Sequence, residues 1–154
     1  MKIGIVFYSL SRHTLSLSNT LKQALEQDGH TVTATQLEPA SYQVRQQKAE
    51  LKSIPPITGY DLLILACPVH GGCMAPPMQA FLEKTPSLKN KKAACFITQV
   101  FPRKWGGEQT LATMRLVCES KGARVIASGG VSWYSFARRR QILAIMDGLK
   151  AALK

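Results

Sequence analysis

Hydrophobic and polar positions switch along the chain between the two-residue period of strands and the longer period of helices. Lys2 to Tyr8 is a short run rich in Ile, Val, Phe and Tyr that suits a buried strand, and it stops in the polar stretch Ser9-Leu10-Ser11-Arg12-His13-Thr14. Leu17, Leu21, Ala24 and Leu25 then recur at helical spacing and Gly29 ends the pattern, which predicts a helix from about Thr14 to Asp28. His30 to Gln36 alternates, with Val32 and Ala34 on one face, as a strand near a sheet edge does. Leu37 to Thr58 is the least regular stretch. It holds Pro39 and the tandem Pro55-Pro56, and its polar middle suits one short helix before an extended approach to the next strand.

Leu62 to Cys67 is the most apolar strand, and its unbroken character implies burial on both faces, as in a parallel sheet. A loop from Pro68 to Pro77 follows, carrying His70, Gly71, Gly72 and Cys73. Met78, Phe81 and Leu82 mark a short helix that ends before Pro86. Lys92 to Thr98 is the fourth strand, and its loop, Gln99 to Gly107, contains Phe101 and Trp105. Leu111, Met114 and Cys118 set the next helix, Gly122 ends it, Arg124 to Val131 is the fifth strand, and Ile142, Ile145, Met146, Leu149 and Leu153 give a closing helix. Strands alternating with helices over this length predict a three-layer α/β/α sandwich on a five-stranded parallel sheet. In the order 2-1-3-4-5, strands one, three and four are neighbours, and their three unusual loops converge on one crevice at the carboxyl edge.

A length of 154 residues fits one domain, residues 1–154, with a substantial core. No apolar run approaches about 20 residues, and the first residues enter a strand without a leader pattern, so a cytoplasmic protein is expected, with no membrane partner. Cys67, Cys73, Cys95 and Cys118 lack metal-ligand spacing. Cys67 and Cys95 are expected in the core, and Cys73 in a loop beside the crevice. Twenty Lys plus Arg against nine Asp plus Glu give a net charge of +11, which favours acidic partners or nucleotides, while no motif points to nucleic acid. Arg138-Arg139-Arg140 opens the last helix, the wrong end for its dipole; a solvated face is the plain account, and a binding site for something acidic the alternative.

The first loop places backbone N–H groups, three hydroxyls, a helix start and the Arg12 charge around one point, a composition that suits a phosphate. It contains no glycine, which removes the common dinucleotide and Walker-type loops. The plain alternative is an ordinary helix N-cap at Ser11 or Thr14.

Taken together, Ser9-Leu10-Ser11-Arg12-His13-Thr14, Pro68-Val69-His70-Gly71-Gly72 and Thr98 through Gly107 resemble, in order, the phosphate loop and the two flavin-ring loops of the flavodoxin-like family. The resemblance covers nearly the whole chain. It implies noncovalent FMN, with Ser9, Ser11, Arg12, His13 and Thr14 at the phosphate and Pro68, Val69, His70, Gly71, Thr98, Gln99, Phe101, Trp105 and Gly106 around the ring. It also implies that Gly71 permits a peptide flip toward the flavin. Arg12 stands where the family usually has glycine, and His70 where many members have an aromatic residue, so stacking falls to Phe101 or Trp105, unless Trp105 packs on the following helix. His70 orders its loop or flanks the ring, and no residue is assigned as catalytic.

The leading expectation is electron transfer through FMN with an acidic redox partner protein, since the basic charge departs from acidic electron-carrier flavodoxins. The alternative is an NAD(P)H-dependent FMN or quinone reductase in which Arg103, Lys104 or Arg138 attracts the nicotinamide nucleotide. A smaller alternative is a binding module of the same fold without cofactor.

Overall fold

The computed structural model describes residues 1–43, 45, 47–102 and 105–154. The chain runs β1 (Lys2–Phe7), α1 (His13–Gln27), β2 (Thr31–Gln36), β3 (Pro39–Gln43), β4 (Lys48–Leu51), β5 (Leu62–His70), β6 (Cys73–Met74), α2 (Pro76–Lys84), β7 (Lys92–Gln99), α3 (Gly107–Ser120), β8 (Arg124–Ser132) and α4 (Arg138–Ala152). Five strands pair in parallel in the order β2-β1-β5-β7-β8, which is the expected 2-1-3-4-5 when the main strands are counted.

The strands alternate which face each residue serves, and both faces are covered. Ile3, Ile5, Leu62, Ile64 and Phe96 pack with Leu17, Leu21 and Leu25 of α1 and with Ile145 and Leu149 of α4. Val6, Leu63, Leu65 and Cys95 pack on the other side with Met78 and Phe81 of α2 and Met114 and Cys118 of α3. Two-sided burial explains why β1, β5 and β7 read as continuous apolar runs in the sequence. Cys67 and Cys95 lie in this core as expected, and burial pushes the Cys67 thiol up to about 12, so it stays protonated.

Two segments differ from the sequence reading. The stretch read as a short helix is an antiparallel hairpin, β3–β4, with Tyr42 opposite Ala49 and Gln43 opposite Lys48. Pro39, Tyr42, Ala49 and Leu51 are its half-buried positions, and Tyr42 and Leu51 pack on the core beside α2. Tertiary packing of that two-residue stripe outweighs the helical propensity of a Gln- and Lys-rich segment. Strand β5 also runs three residues past Cys67 into the expected loop, because β6 returns antiparallel against it, pairing Val69 with Met74 and His70 with Cys73. Gly71 and Gly72, with φ of 58° and 76°, form the two-residue turn, a geometry that demands positive φ at both positions.

Candidate functional site

The loop from Ser9 to Arg12 carries the chain from β1 into α1. Arg12 is the N-cap and adopts a left-handed conformation, φ 68°, and its own side chain makes no capping hydrogen bond. A conformation that L residues enter at a cost explains the family's glycine at this position. Neither Ser11 nor Thr14 caps the helix, so the plain N-cap alternative does not describe this turn. The Ser9 hydroxyl accepts the N–H of Leu15 at 3.2 Å, and Ser16 N–H reaches the Arg12 carbonyl. The N–H groups of residues 10–14 find no acceptor among the described residues. Open N–H groups at a helix start, with exposed Ser11 and Arg12 beside them, make a cradle for an anion.

Thr14 and Thr98 build this cradle from beneath. Each is 1% exposed, and their hydroxyls are 2.8 Å apart, tying the first turn of α1 to the end of β7. Gln99 is also buried: its side-chain amide donates to the Phe101 carbonyl, and its own carbonyl accepts the Trp133 N–H at 2.8 Å. Pro68 and Val69 are half-buried at the end of β5. Phe101 and Trp105 are 61% and 58% exposed, with ring centroids 5.6 Å apart, so Trp105 leans on Phe101 instead of sinking onto α3. Gly106 is the N-cap of α3 and lies against Gly72. The three loops therefore meet as expected. Arg103 and Lys104 lie outside the described residues.

His70 is half-buried, and its Nδ1 lies 2.5 Å from the Tyr42 hydroxyl of the hairpin. Tyr8, at the end of β1, sets its ring edge-on to His70 and tilted against Tyr42. Burial lowers the pKa of His70, which favours the neutral imidazole, and burial raises the pKa of Tyr8 and, with the neighbouring Tyr8, that of Tyr42. His13 does not point freely at the cradle. It stacks on Trp133 at 4.6 Å with Tyr134 edge-on, and burial and then the Arg138 charge lower its pKa.

Tyr8, Tyr42, Trp133 and Tyr134 escaped the sequence reading. Trp133 and Tyr134 carry the signal that singled out Phe101 and Trp105, aromatic residues just past a strand, whereas Tyr42 had no signal because its hairpin was read as a helix. No group of three or more His, Cys, Asp or Glu among the described residues is placed to hold a metal ion, and no helix among them is long and apolar enough to cross a membrane.

Residues 1–137 match the family model described as NADPH-dependent FMN reductase. The curated protein named Probable NAD(P)H dehydrogenase (quinone) FQR1-like 2, from Arabidopsis thaliana, is 32% identical over 128 residues, covering 73% of this chain and 46% of that protein. The chain thus spans less than half of that relative's length. Among solved structures, oxidised Flavodoxin 2 from Bacillus cereus superimposes with a TM-score of 0.73 at 17% identity, covering 98% of this chain and 99% of the other. A flavodoxin of Streptococcus pneumoniae gives 0.70 at 15%, covering 98% and 99%. These two likenesses establish a flavodoxin-like fold.

Proposed function

This chain belongs to the NADPH-dependent FMN reductase family, and we propose that it binds FMN in the three-loop crevice and passes electrons from NAD(P)H through it to a flavin or quinone acceptor. The observation that carries this reading is the set of open N–H groups at residues 10–14 around the left-handed Arg12. A phosphate dianion satisfies several of these donors at once, and the Arg12 charge adds to its attraction. The residues fit the group: glycine's usual place is taken by an arginine whose backbone adopts glycine's conformation and whose side chain is exposed, leaving the N–H groups clear.

In this reading Ser9, Ser11 and Arg12 hold the phosphate, while Thr14, Thr98 and Gln99 hold the loops in register from below. His70, Gly71, Phe101, Trp105 and Gly106 border the ring. When bound, FMN supplies the chemistry that accepts a hydride from a nicotinamide and passes reducing equivalents on. The chain's own part is to orient the ring and keep a neutral His70, held by Tyr42, at its border.

Family membership favours the reductase over a carrier that must be reduced by another protein. The relative's printed name points the same way, at the level of an NAD(P)H-dependent quinone reductase. The test is the visible spectrum of the purified protein after FMN is added and the excess removed, followed by anaerobic addition of NADPH. Retained flavin bands that bleach within seconds to minutes support the reading. Retained bands that stay until a separate reductase is added favour the carrier, and a colourless protein removes the cofactor.

A further inference from the structure

A cavity of about 320 Å³ lies outside the three-loop crevice, between α2 and α3 and against the short strand β6. Met74 and Thr110 are buried in its lining and Val117 half-buried, while Gln79 and Glu83 reach it from α2 and Cys73 from β6. None of the residues assigned to FMN lines it. It adjoins the crevice wall through Gly72, which lies against Gly106.

The Thr110 hydroxyl has no use within the fold. Thr110 is 2% exposed, and its Oγ1 is buried without a hydrogen-bond partner among the described residues. Other threonines in or at the end of helices donate to the carbonyl four residues back: Thr20 to Ser16, Thr85 to Phe81 and Thr113 to Gln109. Thr110 gives the Gly106 carbonyl only its N–H. A buried hydroxyl left alone carries a desolvation cost that a ligand oxygen relieves.

Glu83 sets the charge of the cavity. Its carboxylate accepts a hydrogen bond from Gln79 Nε2 at 3.5 Å, and no cation among the described residues pairs with it, in a chain carrying twenty Lys plus Arg. An unpaired carboxylate repels an anionic ligand. Met74 and Val117 offer apolar surface, and the Met sulfur favours an aromatic ring. A buried cavity of about 150 Å³ already holds benzene, so this volume admits one substituted ring.

We propose that the cavity binds a small neutral phenol, with its ring against Met74 and Val117 and its hydroxyl on that of Thr110. Threonine in a helix has two χ1 wells, so one rotamer change turns the Thr110 hydroxyl to the ligand. A hydroxyl on the ligand serves both the proton and the lone pairs of Thr110, which a carbonyl does not. Hydroquinones belong to this chemical class, but the site goes beyond the flavin reading and does not depend on it.

The test uses Cys73 as a reporter, because it is exposed while the other three cysteines are buried. The rate of Cys73 alkylation by N-ethylmaleimide is followed by mass spectrometry against rising 4-methylphenol, with toluene and 4-hydroxybenzoate in parallel. Saturable protection by 4-methylphenol is expected, with weaker protection by the other two. Thr110→Val is expected to raise the half-saturating concentration about fivefold to tenfold. It removes a hydroxyl that bonds nothing, so its unfolding midpoint is expected to match or exceed that of the parent. Glu83→Gln is expected to narrow the gap between 4-methylphenol and 4-hydroxybenzoate. Absent protection, equal protection by toluene, or protection unchanged in Thr110→Val overturns the site. FMN retention is measured on the same samples. Protection in a protein that retains no FMN sinks the flavin reading and leaves the phenol site standing, and retained FMN without protection does the reverse.

Discussion

Gly72 and Gly106 meet backbone to backbone: a Cβ on Gly106 would lie 2.6 Å from both the Cα and the carbonyl oxygen of Gly72. The contact joins the turn between β5 and β6 to the N-cap of α3, so two of the three crevice loops are set against each other by the absence of side chains. Gly106 also has φ 101°, outside what an L side chain adopts comfortably.

Gly106→Ala therefore carries both a clash and backbone strain, and is expected to cost about 3 kcal/mol of stability. Urea unfolding gives the figure directly. FMN retention is expected to fall with it, since the second and third loops move apart. A variant as stable as the parent would show that the two loops part without cost.

Arg12→Gly separates folding from binding. Removing the side chain relieves the left-handed strain and is expected to raise stability by up to about 1 kcal/mol. The same change removes the charge at the cradle, so FMN affinity is expected to fall, by about threefold to tenfold, with a weaker dependence on salt. Opposite signs in the two measurements are the signature. If flavin affinity holds constant at low salt, Arg12 has no part in the site.

Thr14→Val leaves the Thr98 hydroxyl buried without its partner, and a loss of about 1–3 kcal/mol is expected in denaturant unfolding. Thr14→Val with Thr98→Val removes both hydroxyls and is expected to recover part of that loss. Additive losses in the double variant would mean that the two threonines do not form a coupled pair.

His70 gives a pH dependence whose sign follows from its burial. Its pKa in the folded state lies below the ordinary value of 6.5, so the unfolded chain takes up a proton that the folded chain refuses. The stability contributed by the neutral ring is fully present above 6.5 and is lost as pH falls toward the folded value. Unfolding curves between pH 5 and pH 7.5 are expected to flatten in His70→Asn relative to the parent, beyond the slope that carboxylates supply to both. An NMR titration of the His70 ring protons checks the same point without unfolding. A midpoint at or above 6.5 contradicts it.

By itself the sequence determined the alternation of elements, the order of the main strands and the three loops at one edge. Periodicity and burial on both faces leave a marked trace, as in Leu62 to Cys67. It also singled out the loop proposed to hold a phosphate, because hydroxyls and a charge between an apolar run and a helical pattern are local features. Tertiary structure decided the rest. The hairpin at Tyr42 forms because its two-residue stripe finds the core beside α2, a partner distant in the chain and invisible to local propensity. The tie from Tyr42 to His70 and the stack of His13 on Trp133 join residues 28 and 120 positions apart, respectively. Arg12 in glycine's conformation is likewise a product of the whole fold. The packing of α1 against the sheet and the tie of Thr14 to Thr98 fix the turn in which this non-glycine residue sits, against its own preference.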